Sequence, residues 1–176
     1  GTEWVNDHLY YVNYCERHLA KFNPNEGIVE ILTNLGDFHY YGLTFDGEYL
    51  WINLAENSIF LGYDLDGNLV GSFDSPSDGY TGITFTGQYF LTLKAFETNG
   101  YVHMVDYDGS IISTIQTNNI FYPHGLQLVP NHNDGNIWIV SMNPNDWEMI
   151  IARYEIYDGT LVKITNDMPI YNDLIF

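Results

Sequence analysis

Two histidines in this 176-residue chain, His39 and His124, stand in equivalent loops just ahead of Gly-Leu pairs. An imidazole titrates near neutrality, moves protons and ligates metals. With Asp37 or Asp78 nearby in sequence, the pair could form an acid–base site or hold a divalent cation. Tyrosines recur in the same loops, as Tyr41, Tyr80, Tyr122 and Tyr171, each shortly before an apolar run. A Tyr offers a rigid apolar body with one hydrogen-bonding tip, which suits a sugar or peptide ligand. Repeated framework packing would produce the same recurrence. Trp147 ends the Met142–Trp147 stretch, where a long connection adds either a recognition residue or a hydrophobic plug. No nucleophile elbow, phosphate-binding glycine loop or His-Glu-x-x-His motif is present.

The elements that must position these residues repeat. Gly42-Leu-Thr-Phe-Asp-Gly-Glu-Tyr49 and Gly82-Ile-Thr-Phe-Thr-Gly-Gln-Tyr89 are near copies, and Gly125-Leu-Gln-Leu128 is a looser third. Each opens a unit of four short apolar runs bounded by Gly, Asn, Asp or Pro, the pattern of short antiparallel strands joined by hairpins. Residues 2–31 fit the same unit. Several runs, such as Tyr49-Leu-Trp-Ile52, are apolar at every position, as expected for strands packed on both faces. No segment carries a long 3.6-residue period, so helices should be nearly absent.

The sequence therefore predicts an all-β protein, a β-propeller of about four four-stranded antiparallel blades. Their approximate limits are 1–40, 41–79, 80–121 and 122–169, all within one domain. Residues 170–176 form either a closing strand or the start of a further repeat, because Asp173-Leu-Ile-Phe176 resembles Gly42-Leu-Thr-Phe45. The ring closes within the chain, is completed by a second copy through open blade edges, or belongs to a larger assembly.

The turns Asp64-Leu-Asp66-Gly67 and Asp106-Tyr-Asp108-Gly109 suggest calcium loops but lack the further oxygen ligands that calcium needs. Asp-Gly hairpin turns explain them. Cys15 is the single cysteine, so no internal disulfide forms, and a small buried hydrophobe is expected there.

Charge bounds the partners. There are 23 Asp and Glu against 5 Lys and Arg, for a formal net charge of -18. Such a surface repels phosphate backbones and anionic membranes, which argues against nucleic acid. No apolar stretch is long enough to insert in a membrane as a helix. An extracellular location, or one on a cell or virion surface, suits this charge. The chain starts at Gly1 rather than Met, so removal of a leader, or of part of a larger precursor, is expected.

The Gly-[Leu/Ile]-Thr-Phe-x-Gly-x-Tyr openings and the Tyr-Asp-x-Asp-Gly-x-Leu-Val turn resemble those of the NHL, virginiamycin B lyase and quinoprotein-like propellers. The segment Gly82 to Lys94 is similar also to glutaminyl cyclotransferases. The resemblance implies a fold and leaves the activity open. The expected function is a non-catalytic binding or assembly module. It would present a Tyr-rich channel face, Tyr41, Tyr80, Tyr122, His124 and Tyr171 with Trp147, to a glycan, peptide or partner subunit. The alternative is a propeller lyase or hydrolase using His39 and His124 with Asp37 or Asp78. The sequence requires no cofactor, though the second reading admits a divalent cation.

Overall fold

The computed structural model describes residues 1–54, 57–76, 79–94, 101–116, 120–129, 137–142, 149–157, 160–163 and 168–169. Among them there is no helix. Four antiparallel sheets follow one another along the chain, and within each the strands pair in sequence order. Blade one holds β1 (Thr2–Val5), β2 (His8–Asn13), β3 (His18–Asn23) and β4 (Ile28–Asn34). Blade two holds β5 (Tyr40–Phe45), β6 (Leu50–Leu54), β7 (Ile59–Tyr63) and β8 (Leu69–Asp74). Blade three holds β9 (Tyr80–Phe85), β10 (Phe90–Lys94), β11 (Tyr101–Val105) and β12 (Ile111–Gln116). Blade four holds β13 (Phe121–Leu128), β14 (Ile137–Met142), β15 (Met149–Tyr157) and β16 (Thr160–Lys163), with β17 (Met168–Pro169) added against β15. This is a four-bladed β-propeller, with the first strand of each blade innermost.

Burial follows radial position. All five residues of β6 are buried, because blades one and three cover its two faces. The outermost strands β4 and β8 have one neighbour in their own sheet and stay largely exposed. Consecutive blades meet through apolar faces. Tyr10, Val12 and Leu19 meet Leu43, Leu50 and Ile52 between blades one and two. Trp51, Phe60 and Phe73 meet Ile83, Phe90 and Val105 between blades two and three. Leu91, Leu93 and Val102 meet Leu126, Ile137 and Ile139 between blades three and four. Among the described residues, no strand of blade four lies against a strand of blade one.

The hairpin turns work as their sequences require. Gly67 and Gly109 adopt φ of 84° and 86°, the left-handed region that glycine reaches without penalty. The Asp64 carboxylate accepts the Asp66 and Asn68 N–H groups at 3.0 and 2.8 Å, and the Asn68 side chain at 2.9 Å. Asp106 accepts the Asp108 and Ser110 N–H groups in the same way. These carboxylates serve their own turns, as the hairpin reading expects. Hydrogen bonding from Asn68 holds the Asp64 carboxyl below the usual carboxylate range. The β1–β2 turn uses a different device, with Asn6 and Asp7 both at positive φ. Cys15 departs from expectation. It lies exposed in the β2–β3 turn, where its N–H donates to Asn13 Oδ1 at 3.0 Å. The turn geometry turns its side chain outward, away from the core.

Candidate functional site

Each of three inner strands begins with an irregularity. In β5 the pairing with β6 slips by one residue between Tyr40 and Leu43. In β9 it slips by one residue around Thr81, and in β13 by two between Phe121 and Gly125. An inserted residue breaks the strict in–out alternation and re-aims a side chain. Here it brings Tyr41, Thr81 and His124 to the wall of one cavity of about 350 Å³, which is lined by inner strands of all four blades. Thr2 of blade one and Gln127 and Trp138 of blade four contribute the rest of its polar and aromatic lining.

Glycines set the width of this centre. A Cβ on Gly42 would come within 2.8 Å of Ile83 Cγ2, and one on Gly82 within 2.9 Å of Leu126 Cβ. Gly1 stands in the same relation to Leu43. Thr hydroxyls tie the same strands together. Thr44 Oγ1 accepts the Phe85 N–H, and Thr84 Oγ1 accepts the Leu128 N–H, both at 3.1 Å. This explains why Gly-[Leu/Ile]-Thr-Phe recurs: Gly allows the approach and Thr makes the bond across it.

The expected site residues fall into three groups. His124 is exposed and Tyr41 half-buried, and both line the cavity. His39 is exposed beside Tyr41. It stacks on Tyr14 with ring centroids 5.3 Å apart and planes 12° apart, and its ring lies 6.4 Å from that of Tyr41. Asp37 is exposed and forms an ion pair with Arg17, so its charge is already matched by a guanidinium.

Tyr80 is placed differently from Tyr41. It is 2% exposed, its hydroxyl bonds His103 Nδ1, and its ring packs against Phe60 in the blade interior. Its positional counterpart is Tyr40, also buried, two residues before the inner-strand glycine. Thr81, not Tyr80, is the counterpart of Tyr41 at the cavity. A tyrosine one place out of step faces the core, because strand side chains alternate. Tyr122 lies on β13, but its side chain is not described. Asp78, Trp147, Tyr171 and the segment 170–176 lie outside the described residues. Among the described residues, no three His, Cys, Asp or Glu gather as metal ligands.

Sequence reasoning missed Tyr14, Thr81, Gln127 and Trp138. Alignment on the inner-strand glycines would have found Thr81. Tyr14 sits in a turn of blade one and is neighbour to His39 only through tertiary packing.

Glu3 was also missed. By register it occupies the place in blade one that Thr44 and Thr84 fill in the next two blades. Its Oε2 is buried without a hydrogen-bond partner. Burial pushes its carboxyl up to about 7. The folded protein therefore binds this proton more tightly than the unfolded chain does. That contribution to stability is complete below the ordinary Glu value and is lost as pH rises through about 7. Glu3→Gln should stabilise the protein at pH 8 by on the order of 1–2 kcal/mol, allowing for partial exposure, and by nothing measurable near pH 4. Denaturant midpoints measured across that range check this, and a gain independent of pH refutes it.

No protein-family model and no curated protein matches the chain. Solved structures do match in shape. Virginiamycin B lyase from Staphylococcus aureus superposes with a TM-score of 0.63 at 16% identity, covering 96% of this chain and 55% of that one. Hydrazine synthase of Kuenenia stuttgartiensis gives 0.64 at 13% identity, covering 93% and 46%. Glutaminyl cyclase of Myxococcus xanthus gives 0.58 at 12% identity, covering 86% and 66%. The chain thus spans about half the length of the first two. At these identities the likeness shows the fold alone, a β-propeller. The activities of those proteins remain their own.

Proposed function

We propose that the cavity is the reaction site of a propeller enzyme of the lyase or hydrolase class, with His124 as its proton-transfer group. The observation that carries this reading is the position of His124: an irregularity in β13 turns an exposed imidazole onto a cavity shared by inner strands of all four blades. Imidazole is suited to give and take protons near neutral pH. Tyr41 and Trp138 would hold the substrate by stacking and by the Tyr hydroxyl, and Thr81 and Gln127 would orient its polar groups. The structural likeness to a lyase and a cyclase supports a catalytic reading. Location outside the cell or on a cell or virion surface is part of the proposal, supported by the charge of -18.

A binding module for a glycan or peptide is the second reading. Among the described residues no carboxylate lines the cavity, so His124 lacks an acidic partner there. The test is direct. The protein is incubated with quinupristin, because a lyase of this fold has been crystallised with that compound, and with panels of peptides and glycans. Products are followed by mass spectrometry and retention by pull-down. The catalytic reading expects a turned-over compound and a loss of about 10²–10⁴-fold in His124→Ala, with the fold intact. Retention without turnover, unaffected by His124→Ala, would sink it in favour of the binder.

A further inference from the structure

Three times in this chain the face of one blade that carries the inner-strand glycine packs against the next blade. Blade four has the same face and no described strand against it. There Gln127, Trp138 and Arg153 stand opposite one another, beside Gly125, Val140 and Ile151. These side chains are half-buried or exposed, and the Trp138 ring carries the Arg153 guanidinium at 5.5 Å. Whereas Gly42 and Gly82 each abut the following blade, a Cβ on Gly125 would meet nothing within 4 Å. Trp138 is the counterpart of Trp51, whose ring lies 5.6 Å from Phe90 of the following blade.

Blade one has the complementary deficiency. Its face away from blade two carries Trp4, Leu9, Tyr11, Phe22, Val29 and Ile31 in register. Trp4, Val29 and Ile31 are 56%, 52% and 63% exposed. In blades two and three the inner positions of the corresponding face, Leu50, Ile52, Phe90 and Thr92, are fully buried against the preceding blade, while its outer-strand positions stay exposed, as Leu69 and Ile111 do. Trp4 and the half-buried Leu9 and Tyr11 therefore carry the difference. An apolar surface of this extent, aligned across four strands, marks an interaction site.

We infer that these two faces are halves of one interface, and that the occupant of each is a second copy of this chain. The interface is continuous with the three already inside the molecule and uses their register. Thr2 of the second copy would cover Gly125, as Ile83 covers Gly42 and Leu126 covers Gly82. Leu9 of the second copy, the counterpart of Phe90, would meet Trp138. The contact joins unlike patches, so it ends in a dimer where the rotation closes and grows further where it does not. It also walls the open side of the cavity, where Trp138, Val140 and Ile151 stand. The inference is independent of the chemistry proposed for His124.

Light scattering with size exclusion on the intact protein tests it, at the highest concentration that stays in solution. The expected mass is at least twice 20.3 kDa. Gly125→Leu fills the slot and Trp4→Asp charges the opposite face. Each variant should return the mass of a single chain with an unchanged far-ultraviolet dichroism spectrum. Leu9→Lys is a second probe of blade one, should Trp4→Asp alter the fold. A single-chain mass for the unsubstituted protein overturns the inference and leaves the faces to other blades or to residues 170–176. Association that survives the variants also overturns it, in favour of pairing through the outer edges of β4, β8 and β12.

Discussion

Gly82→Ala should lower stability by about 2–3 kcal/mol, while Gly125→Ala, compared with the unsubstituted protein as dissociated single chains, should stay within about 0.5 kcal/mol. The two glycines occupy the same place in consecutive blades, and neither has a left-handed φ, so only space distinguishes them. At Gly82 the added methyl would sit 2.9 Å from both Leu126 Cβ and the Leu126 backbone nitrogen. The nitrogen belongs to an inner strand that is paired along β14 and tied to Thr84, so it cannot retreat alone. Relief requires blade four to shift as a whole, which loosens the packing of Leu93, Ile137 and Ile139. Thermal midpoints should fall by roughly 5–10 °C for Gly82→Ala, given about 2–4 °C per kcal/mol at this chain length. Equal effects at the two positions would show that the inner strands do not set the blade spacing.

Asn53→Leu should cost about 3 kcal/mol for a different reason. Asn53 is 1% exposed, in the middle of the fully buried β6. Its amide spans two blades: Oδ1 accepts the Gly42 N–H, and Nδ2 donates to the Tyr80 carbonyl. The irregularity in β5 is what leaves the Gly42 N–H needing a side-chain acceptor. Leucine has similar volume, so packing is nearly kept while two buried backbone groups lose their partners. Each such group costs about 1–3 kcal/mol. Asn53→Asp separates the two bonds. The ionised carboxylate can still accept from Gly42 but repels the Tyr80 carbonyl, whereas the neutral acid can serve both. The Asp variant should therefore recover stability as pH falls, and the Leu variant should not. Urea titrations at pH 4 and 8 distinguish them, and a pH-independent Asp variant would refute the assigned bonding.

The blade repeat was legible in the sequence because its cause is local. Gly42 and Gly82 mark places where inner strands of adjacent blades pass closely, Gly125 holds the equivalent place in blade four, and the four runs that follow each are short, apolar and ended by turn residues. The site was less legible. His124 and Tyr41 were placed at the cavity by their position ahead of those glycines. Tyr80 was assigned with them because it also precedes its glycine, but by two residues instead of one. In a strand one residue is the difference between cavity and core, and residue type carries no record of which. Asp37 was read as a partner for histidine. Arg17, twenty residues earlier in the β2–β3 turn, takes it instead. Glu3 was invisible as a perturbed acid, because only the fold shows that its counterparts are threonines bonded across a blade interface.

The irregular starts of the inner strands carry a consequence for how such a protein diversifies. Tyr41, Thr81 and His124 each lie beside a glycine whose neighbours on the following turn of chain are fixed by packing. Tyr41 and His124 face the cavity, whereas Thr81 is buried and its hydroxyl donates to the Pro123 carbonyl of blade four at 2.9 Å. A substitution at Tyr41 or His124 alters what the centre recognises while leaving that bond and the buried blade contacts as they were. Duplication of the unit supplies one such socket per blade at equivalent heights. Selection can then combine an aromatic and an imidazole independently, and change specificity without first finding a new fold or risking the old one.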